Sequence, residues 1–318
     1  METDDRFKVN EYIDQAEHGF VSSEHSLSFS NELSGSSEGK SSKDEVIEDV
    51  RGTLDDPTPH FDVFNSDYEE KEREQRGIDS LSVIIPALNE EHYAPKLLSS
   101  LVKQEFRGDL QVIVVDGQSE DNTIKAAMEY ENKLDLKVIS SERDIGKQRN
   151  EGAKVAKHPH LLFLDADVIM PRNMLNRFTS KINPNQRIVD TVVIVPHPLK
   201  FVDTVGGMYG NLVLGLINKF EPAMTGQFLL TTQENHQKVG GFAEGTIIGE
   251  DLDYVLRSSA DGAKTHKHMF DYVFSSTRRG DLMGRASFIS SWAKAYFYVR
   301  RHGPIYENFN YPFGNYKK

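Results

Sequence analysis

Short apolar runs recur along the middle of the chain, and a polar stretch at helical spacing separates each from the next. The run 81-LSVIIP-86 precedes 87-ALNEEHYAPKLLSSLVKQ-104, and 110-LQVIVVD-116 precedes 117-GQSEDNTIKAAMEYENK-133. Next, 136-LKVISS-141 precedes 146-GKQRNEGAKVAKH-158, and 160-HLLFLDAD-167 closes the series. Strands that are apolar throughout, without alternation, are buried on both faces. Helices between them require parallel pairing through right-handed crossovers. The expectation is an α/β fold: a Rossmann-like, mostly parallel sheet flanked by helices. In such sheets ligands gather beyond the carboxyl ends of the strands. Pro86 to Glu90, Asp116 and Asp165 to Asp167 all lie at such ends, so three polar clusters distant in sequence are expected in one crevice.

Charge separates this part of the chain from its front. The first 76 residues hold 21 of the 49 acidic and 8 of the 37 basic side chains, so the remainder is close to neutral. Within that front, 21-VSSEHSLSFSNELSGSSEGKSSKDEVIEDVRGTLDDPTP-59 has too few clustered apolar residues to offset chain entropy, which predicts a disordered acidic extension over 1–76. A short helical lead-in over 67–76 fits its charge pattern. There is no cysteine, hence no disulfide, thiolate metal site or thiol nucleophile. The start METDDRFKVNEYIDQ lacks a basic patch followed by an apolar core, and no window reaches the roughly 18–20 apolar residues that span a bilayer, the closest being 204–218. A cytoplasmic setting is expected. A near-neutral folded part also lacks the basic excess needed to bind a nucleic-acid backbone.

Asp165-Ala166-Asp167 places two carboxylates on one side of an extended backbone, because side chains at i and i+2 share a face. Mg²⁺ and Mn²⁺ prefer oxygen ligands and are commonly shared between carboxylates and substrate phosphates. Acidic residues at strand ends are also ordinary caps, so the pair alone leaves both readings open. Further on, 249-GEDLDYVLRSSADG-262 places Glu250 and Asp251 at the start of a helix, where the dipole keeps a carboxylate ionised and where an acid is also simply stabilising.

Together these stretches resemble the family 2 glycosyltransferases of the GT-A fold, over about residues 80 to 280. Four pieces carry the resemblance. 83-VIIPALNEE-91 is similar to the family's first strand and donor loop, and 112-VIVVDGQSEDNT-123 to its second strand with a base-reading aspartate. 146-GKQRNEGAKVAKHPHLLFLDAD-167 resembles the stretch ending in the metal-binding D-x-D motif, and 225-TGQFLLTTQENHQKVGGFAEGTIIGEDLDYVLR-257 the acceptor-side stretch ending in the Glu-Asp of the catalytic base.

The resemblance implies an inverting transferase of the EC 2.4 kind that moves a sugar from a UDP- or GDP-sugar to an acceptor hydroxyl, with Mn²⁺ or Mg²⁺ as cofactor. Pro86, Ala87, Asn89 and Glu90 would cradle the nucleoside and Asp116 would bond the base; singly, these also read as a strand stop, a helix start and a turn. Asp165 and Ala166 would face the donor, with Asp165 and Asp167 holding the ion. Arg149 and Asn150 would reach the nucleotide or its phosphates, or be exposed on a polar helix. Arg278 and Arg279 would meet the phosphates, or be a surface pair. Asp251, next to Glu250, would deprotonate the acceptor. Where many relatives place a metal-ligating histidine, this chain has Ser275, so the third protein ligand is unassigned; His266 and His268 alternate on one strand face and read as exposed strand residues.

The implied organisation is an extension over 1–76, a transferase domain over 77–285 with halves 77–167 and 168–285, and a C-terminal helix and tail over 286–318. The acceptor is less defined. The stretch 204-TVGGMYGNLVLGLIN-218 reads as a core helix weakened by its glycines, or as an interfacial segment meeting a lipid-linked acceptor. In 288-FISSWAKAYFYVRRHG-303 aromatic residues stand beside a basic cluster, which suggests peripheral contact with a membrane. Two other functions compete: a non-catalytic sugar-nucleotide-binding or scaffold protein, and a sugar nucleotidyltransferase, which would need a glycine-rich basic loop where this chain has ALNEE.

Overall fold

In a computed structural model, the described residues are 77–198 and 224–307, with positions 200, 203, 206, 207, 210–212, 215 and 222 between them. The acidic extension over 1–76 and the tail beyond 307 lie outside these residues. The described residues belong to one unit, 72–318.

Four strands form the first half of the sheet: β1 (Ser80–Ala87), β2 (Asp109–Asp116), β3 (Asp135–Ser140) and β4 (His160–Leu164). They are parallel and lie in the order β3-β2-β1-β4. The chain builds outward from β1 to β3 and then returns to the other side of β1, so the order reverses between β1 and β4. Such a reversal opens a crevice at the strand ends, and Ala87 and Asp165 flank it. Burial explains the apolar runs: Val83, Ile85, Val112, Val114 and Leu162 pack into one core, while Ile84, Ile113, Val115, Leu161 and Phe163 pack into another on the opposite face.

Three helices cover these strands: α1 (Ala94–Val102), α2 (Thr123–Met128) and α3 (Ile145–Lys154). Spacing alone predicts a helix from Ala87, but α1 begins only at Ala94. Residues 88–93 form a loop, with Asn89 at a left-handed φ of 56°. Pro86 does not end β1 either; it pairs with Val115 of β2, beyond the last residue of β1 that pairs with β4, Ile84. Helix α3 lies unusually close to the sheet at Gly152, where an added Cβ would stand 2.4 Å from Ile84 Cγ2.

The second half is mixed rather than parallel. After the two-residue β5 (Val168–Ile169) and α4 (Met174–Thr179) come β6 (Ile188–His197) and β7 (Phe228–Thr232). Strand β7 runs antiparallel to both β4 and β6. Helices α5 (Gln233–Lys238) and α6 (Glu250–Ala260) lead to β8 (Lys264–Ser276), which is parallel to β6 and antiparallel to β5. The eight strands run β3-β2-β1-β4-β7-β6-β8-β5.

A short α7 (Arg278–Met283) precedes α8 (Arg285–His302). Ala295, Tyr296 and Val299 of α8 pack with Leu252 of α6 and with Ile305, joining the C-terminal helix to the element that carries Glu250 and Asp251. In the 204–218 stretch the described positions are helical, but Leu212 is 55% exposed, which a core helix does not require. Among the described residues no helix is long and apolar enough to cross a membrane.

Candidate active site

The loops after β1 and β2 are joined by hydrogen bonds between side chains and backbone. Asn89 Oδ1 accepts from the Glu120 amide at 2.8 Å, the Asn89 amide donates to Ser119 Oγ at 2.9 Å, and the Glu90 amide donates to Thr123 Oγ1 at 2.7 Å. Asn89 tolerates its left-handed backbone better than most residues. Asp116 ends β2 beside Ala87; its Oδ2 accepts from the Ser119 amide at 3.1 Å, while Oδ1 is buried with no partner among the described residues. Most buried acceptors in folded proteins have a partner, so this one stands out.

Gln148 is part of this arrangement although sequence reasoning passes it over. Its Nε2 donates to the carbonyls of Ala87 at 2.9 Å and Val115 at 2.7 Å, clamping the ends of β1 and β2. The residue lies on the buried face of α3 among Gly146, Arg149 and Asn150, a face with no apolar periodicity to reveal it.

Arg149, expected either to reach the nucleotide or its phosphates or to be exposed on a polar helix, is buried. It is 1% exposed; Nη1 donates to Glu250 Oε1 at 2.8 Å and Nη2 to Asp165 Oδ1 at 3.0 Å, and the guanidinium lies 5.0 Å from the Phe242 ring centre. Both terminal nitrogens are thus bound to carboxylates. Asn150 donates to the Phe242 carbonyl at 3.0 Å and accepts from the Phe242 amide at 2.9 Å.

Asp251 lies beside this chain of charges. Its Oδ2 accepts from the Gly226 amide at 2.7 Å and its Oδ1 from the Leu252 amide at 2.7 Å. Gly226 has no room for a side chain, because an added Cβ would stand 2.7 Å from Arg149 Nη2 and 2.9 Å from Asp251 Cβ. Burial, reinforced by the neighbouring Asp251 charge and opposed by Arg149, pushes the Glu250 carboxyl up to about 7.

Asp165 and Asp167 are 7% and 6% exposed at the mouth of β4. Arg278 Nη1 donates to Glu90 Oε2 at 2.8 Å while Nη2 bonds the other Glu90 oxygen, and Nη2 lies 3.5 Å from Asp167 Oδ2. The same guanidinium stacks 4.4 Å from the Tyr93 ring centre. Arg279 Nη2 lies 4.0 Å from Asp165 Oδ2. Neither arginine is therefore an unattached surface residue. Burial pushes the Glu90 carboxyl up to about 7 despite Arg278, and burial likewise raises Asp167.

These residues fit a hard divalent ion in one respect: Asp167 Oδ1 is buried and has no hydrogen-bond partner among the described residues. Two carboxylates make a partial oxygen set of the kind that phosphate oxygens and water complete. The described residues contain no cluster of three or more His, Cys, Asp or Glu able to enclose a metal unaided. Ser275 pairs with Val168 in the β5–β8 register and its Oγ accepts from Gln227 Nε2 at 2.7 Å, so it steadies the loop before β7. His266 and His268 both meet Asp190, at 3.2 and 2.9 Å, nine positions or more along β8 from the Ser275–Ser276 end in the case of His266. They take no part in the crevice.

Two adjoining cavities follow from this geometry. The smaller, about 30 Å³, lies between Pro86, Ala87, Gln148, Asp167 and Ala166. The larger, about 130 Å³, is bounded by Gly226, Glu250, Asp251, Trp292 and Tyr296. Ile145, Asp165 and Arg279 line both. Trp292 and Tyr296 stack with centroids 5.8 Å apart and 22° between planes. Gln227, Met224 and the α8 aromatics are contributors that sequence alone did not assign to a site; only the packing of α8 against α6 brings the aromatics there.

An α/β sheet with a crevice at its strand reversal, a D-x-D at the end of β4 and a Glu-Asp across from it define a GT-A type domain. Residues 82–231 match the model of Glycosyl transferase family 2. Over 90 residues it is 43% identical to the poly(ribitol-phosphate) beta-N-acetylglucosaminyltransferase TarS of Staphylococcus aureus, covering 27% of this chain and 16% of that protein. The chain thus spans a minor part of such relatives. Among solved structures, S. aureus TarS 1–349 in complex with UDP-GlcNAc superposes with a TM-score of 0.52 at 21% identity, covering 69% of this chain and 66% of that one. A mannosyltransferase from Pyrobaculum calidifontis in complex with GDP-Man and Mn²⁺ superposes with a TM-score of 0.50 at 17% identity, covering 73% and 71%. At these identities the superpositions establish the fold.

Proposed function

We propose that this protein is an inverting, metal-dependent glycosyltransferase that moves a sugar from a UDP- or GDP-sugar to an acceptor hydroxyl in glycan, glycolipid or cell-envelope polysaccharide synthesis. The observation that carries this reading is the pair of adjoining cavities, one holding Asp167 and the other Asp251, with Asp165 in their common wall. The sugar-nucleotide ligands named for the structural relatives support the donor class.

In this reading Pro86, Ala87, Asn89 and Glu90 seat the nucleoside and the open Oδ1 of Asp116 accepts from the base. Asp165 and Asp167 hold Mn²⁺ or Mg²⁺, which when bound supplies Lewis acidity against charge on the leaving diphosphate. Arg278 and Arg279 offer guanidinium forks that suit phosphate oxygens. Asp251 accepts the acceptor's proton; the amides of Gly226 and Leu252 keep its carboxylate oriented. Glu250 and Arg149 fix the start of α6 against Asp165. One displacement at one carbon, with base and leaving group on opposite sides, inverts the anomeric configuration.

The acceptor enters the larger cavity beside Trp292 and Tyr296. On the outer face of α8, Ile289 and Phe297 are 61% and 71% exposed near Lys294 and Arg301, which suits an acceptor carried at an anionic membrane surface on the cytoplasmic side. The deciding experiment incubates the protein with Mn²⁺ and a panel of UDP- and GDP-sugars, reading release of nucleoside diphosphate. One donor is expected to turn over, and Asp251→Asn to slow that turnover by about 10²–10⁴. Failure of every donor to bind would sink the proposal.

A further inference from the structure

We infer that Arg278 occupies the cation position of the donor-free protein, and that it yields this position to a divalent ion only when a nucleotide diphosphate offers its guanidinium a new anionic partner. The inference rests on the donor and metal reading above and adds an order of events to it.

The guanidinium of Arg278 touches both carboxylates that the donor pocket needs. It forks onto Glu90, with Nη1 2.8 Å from Oε2, and Nη2 lies 3.5 Å from Asp167 Oδ2. An ion bound to Asp167 would sit within about 4 Å of that positive charge, a distance at which like charges repel strongly in a partly dry pocket. One cation excludes the other. Asp167 Oδ2 thus has a cationic neighbour, while Oδ1 has no hydrogen-bond partner among the described residues.

Displacement needs a route, and the local structure provides one. Arg278 begins α7, a six-residue helix with no buried residue, directly after Thr277, so its backbone is not anchored in a core. Its head is guided instead by the Tyr93 ring, 4.4 Å from the guanidinium carbon. A diphosphate entering over Ala87 and Asp167 would compete with Glu90 for the fork, because planar guanidinium pairs with phosphate oxygens at least as readily as with carboxylate. The ion and the nucleotide would then bind with positive coupling, each removing an obstacle to the other.

Titration of the full chain with Mn²⁺ alone, read from the electron paramagnetic resonance signal of free Mn²⁺, tests this without any turnover. Wild type is expected to bind Mn²⁺ weakly, and ~10-fold or more tightly once UDP or GDP is added. Arg278→Gln is expected to bind Mn²⁺ alone ~10-fold or more tightly than wild type, with the nucleotide enhancement correspondingly reduced. Arg278→Lys, which keeps the charge, should remain weak, and Asp167→Asn should lose binding throughout. The inference is overturned if wild type binds Mn²⁺ equally well with and without nucleotide, a measurement that depends on no variant, or if Arg278→Gln binds Mn²⁺ no better than wild type. If no nucleotide binds in any combination, the donor reading falls with it, which distinguishes the two failures.

Discussion

Arg149 and Glu250, 101 positions apart in sequence, meet at 2.8 Å in the interior, and the second nitrogen of the same guanidinium reaches Asp165 at 3.0 Å. A single side chain on α3 thereby fixes the distance between the end of β4 and the start of α6. Removing it would leave two carboxylates buried without their cation. Arg149→Met is expected to destabilise the fold by roughly 3–5 kcal/mol, the usual cost of breaking a buried pair from one side. Urea unfolding measures it; a change under 1 kcal/mol would show that the network contributes little.

Asp251→Asn separates chemistry from architecture. Asparagine keeps an oxygen that can accept from Gly226 but loses the basic carboxylate and one of its two amide bonds, so kcat should fall by about 10²–10⁴ with donor affinity nearly unchanged and a stability loss of about 1 kcal/mol. A large rise in donor Kd would contradict the placement of Asp251 on the acceptor side.

Gly226→Ala tests the close approach in the same wall. The added methyl would stand 2.7 Å from Arg149 Nη2, which is itself tied to Asp165, so the neighbour has little freedom to move. A loss of about 1–3 kcal/mol is expected, together with reduced activity through displaced Asp251. An unchanged melting temperature would mean that the loop simply shifts.

His236 supplies a pH dependence away from the crevice. It is enclosed by Phe163, Phe242 and Tyr254, and burial lowers its pKa to about 4, so it is neutral in the folded state where an unfolded histidine is already charged. The unfolded chain therefore binds more protons between about pH 6.5 and 4, and folding stability falls as pH drops through that window. The loss is on the order of 3 kcal/mol. His236→Phe should flatten this part of the profile in urea unfolding at stepped pH; parallel profiles for the two proteins would refute it.

Much of the first half was legible because burial on both sheet faces writes itself as uninterrupted apolar runs. Val83 to Ile85, Val112 to Val115 and Leu161 to Leu164 announced three neighbouring strands, and their polar successors announced the crevice. The loop at 88–93 was not legible, since its leucine and acids continue a helical rhythm that the left-handed Asn89 interrupts. The depth of Arg149 and Gln148 was hidden for a related reason: their helix buries polar atoms against carboxylates and strand-end carbonyls, so no hydrophobic spacing marks the inward face. The antiparallel insertion of β7 beside β4 depends on a distant segment returning to the sheet, which local pattern does not encode.

Among the described residues the two cavities have only Ile145, Asp165 and Arg279 in common, and the larger one draws Phe288, Trp292, Tyr296 and Val299 from a helix that lends none of them to the smaller. On the proposed reading, what the protein gives and what it gives it to are written in separable parts of the chain. Exchanging residues 285–305 for another sequence that still packs on Leu252 would redirect the acceptor while leaving the choice of sugar nucleotide intact. On that reading the architecture would serve as a fixed socket with an interchangeable adaptor.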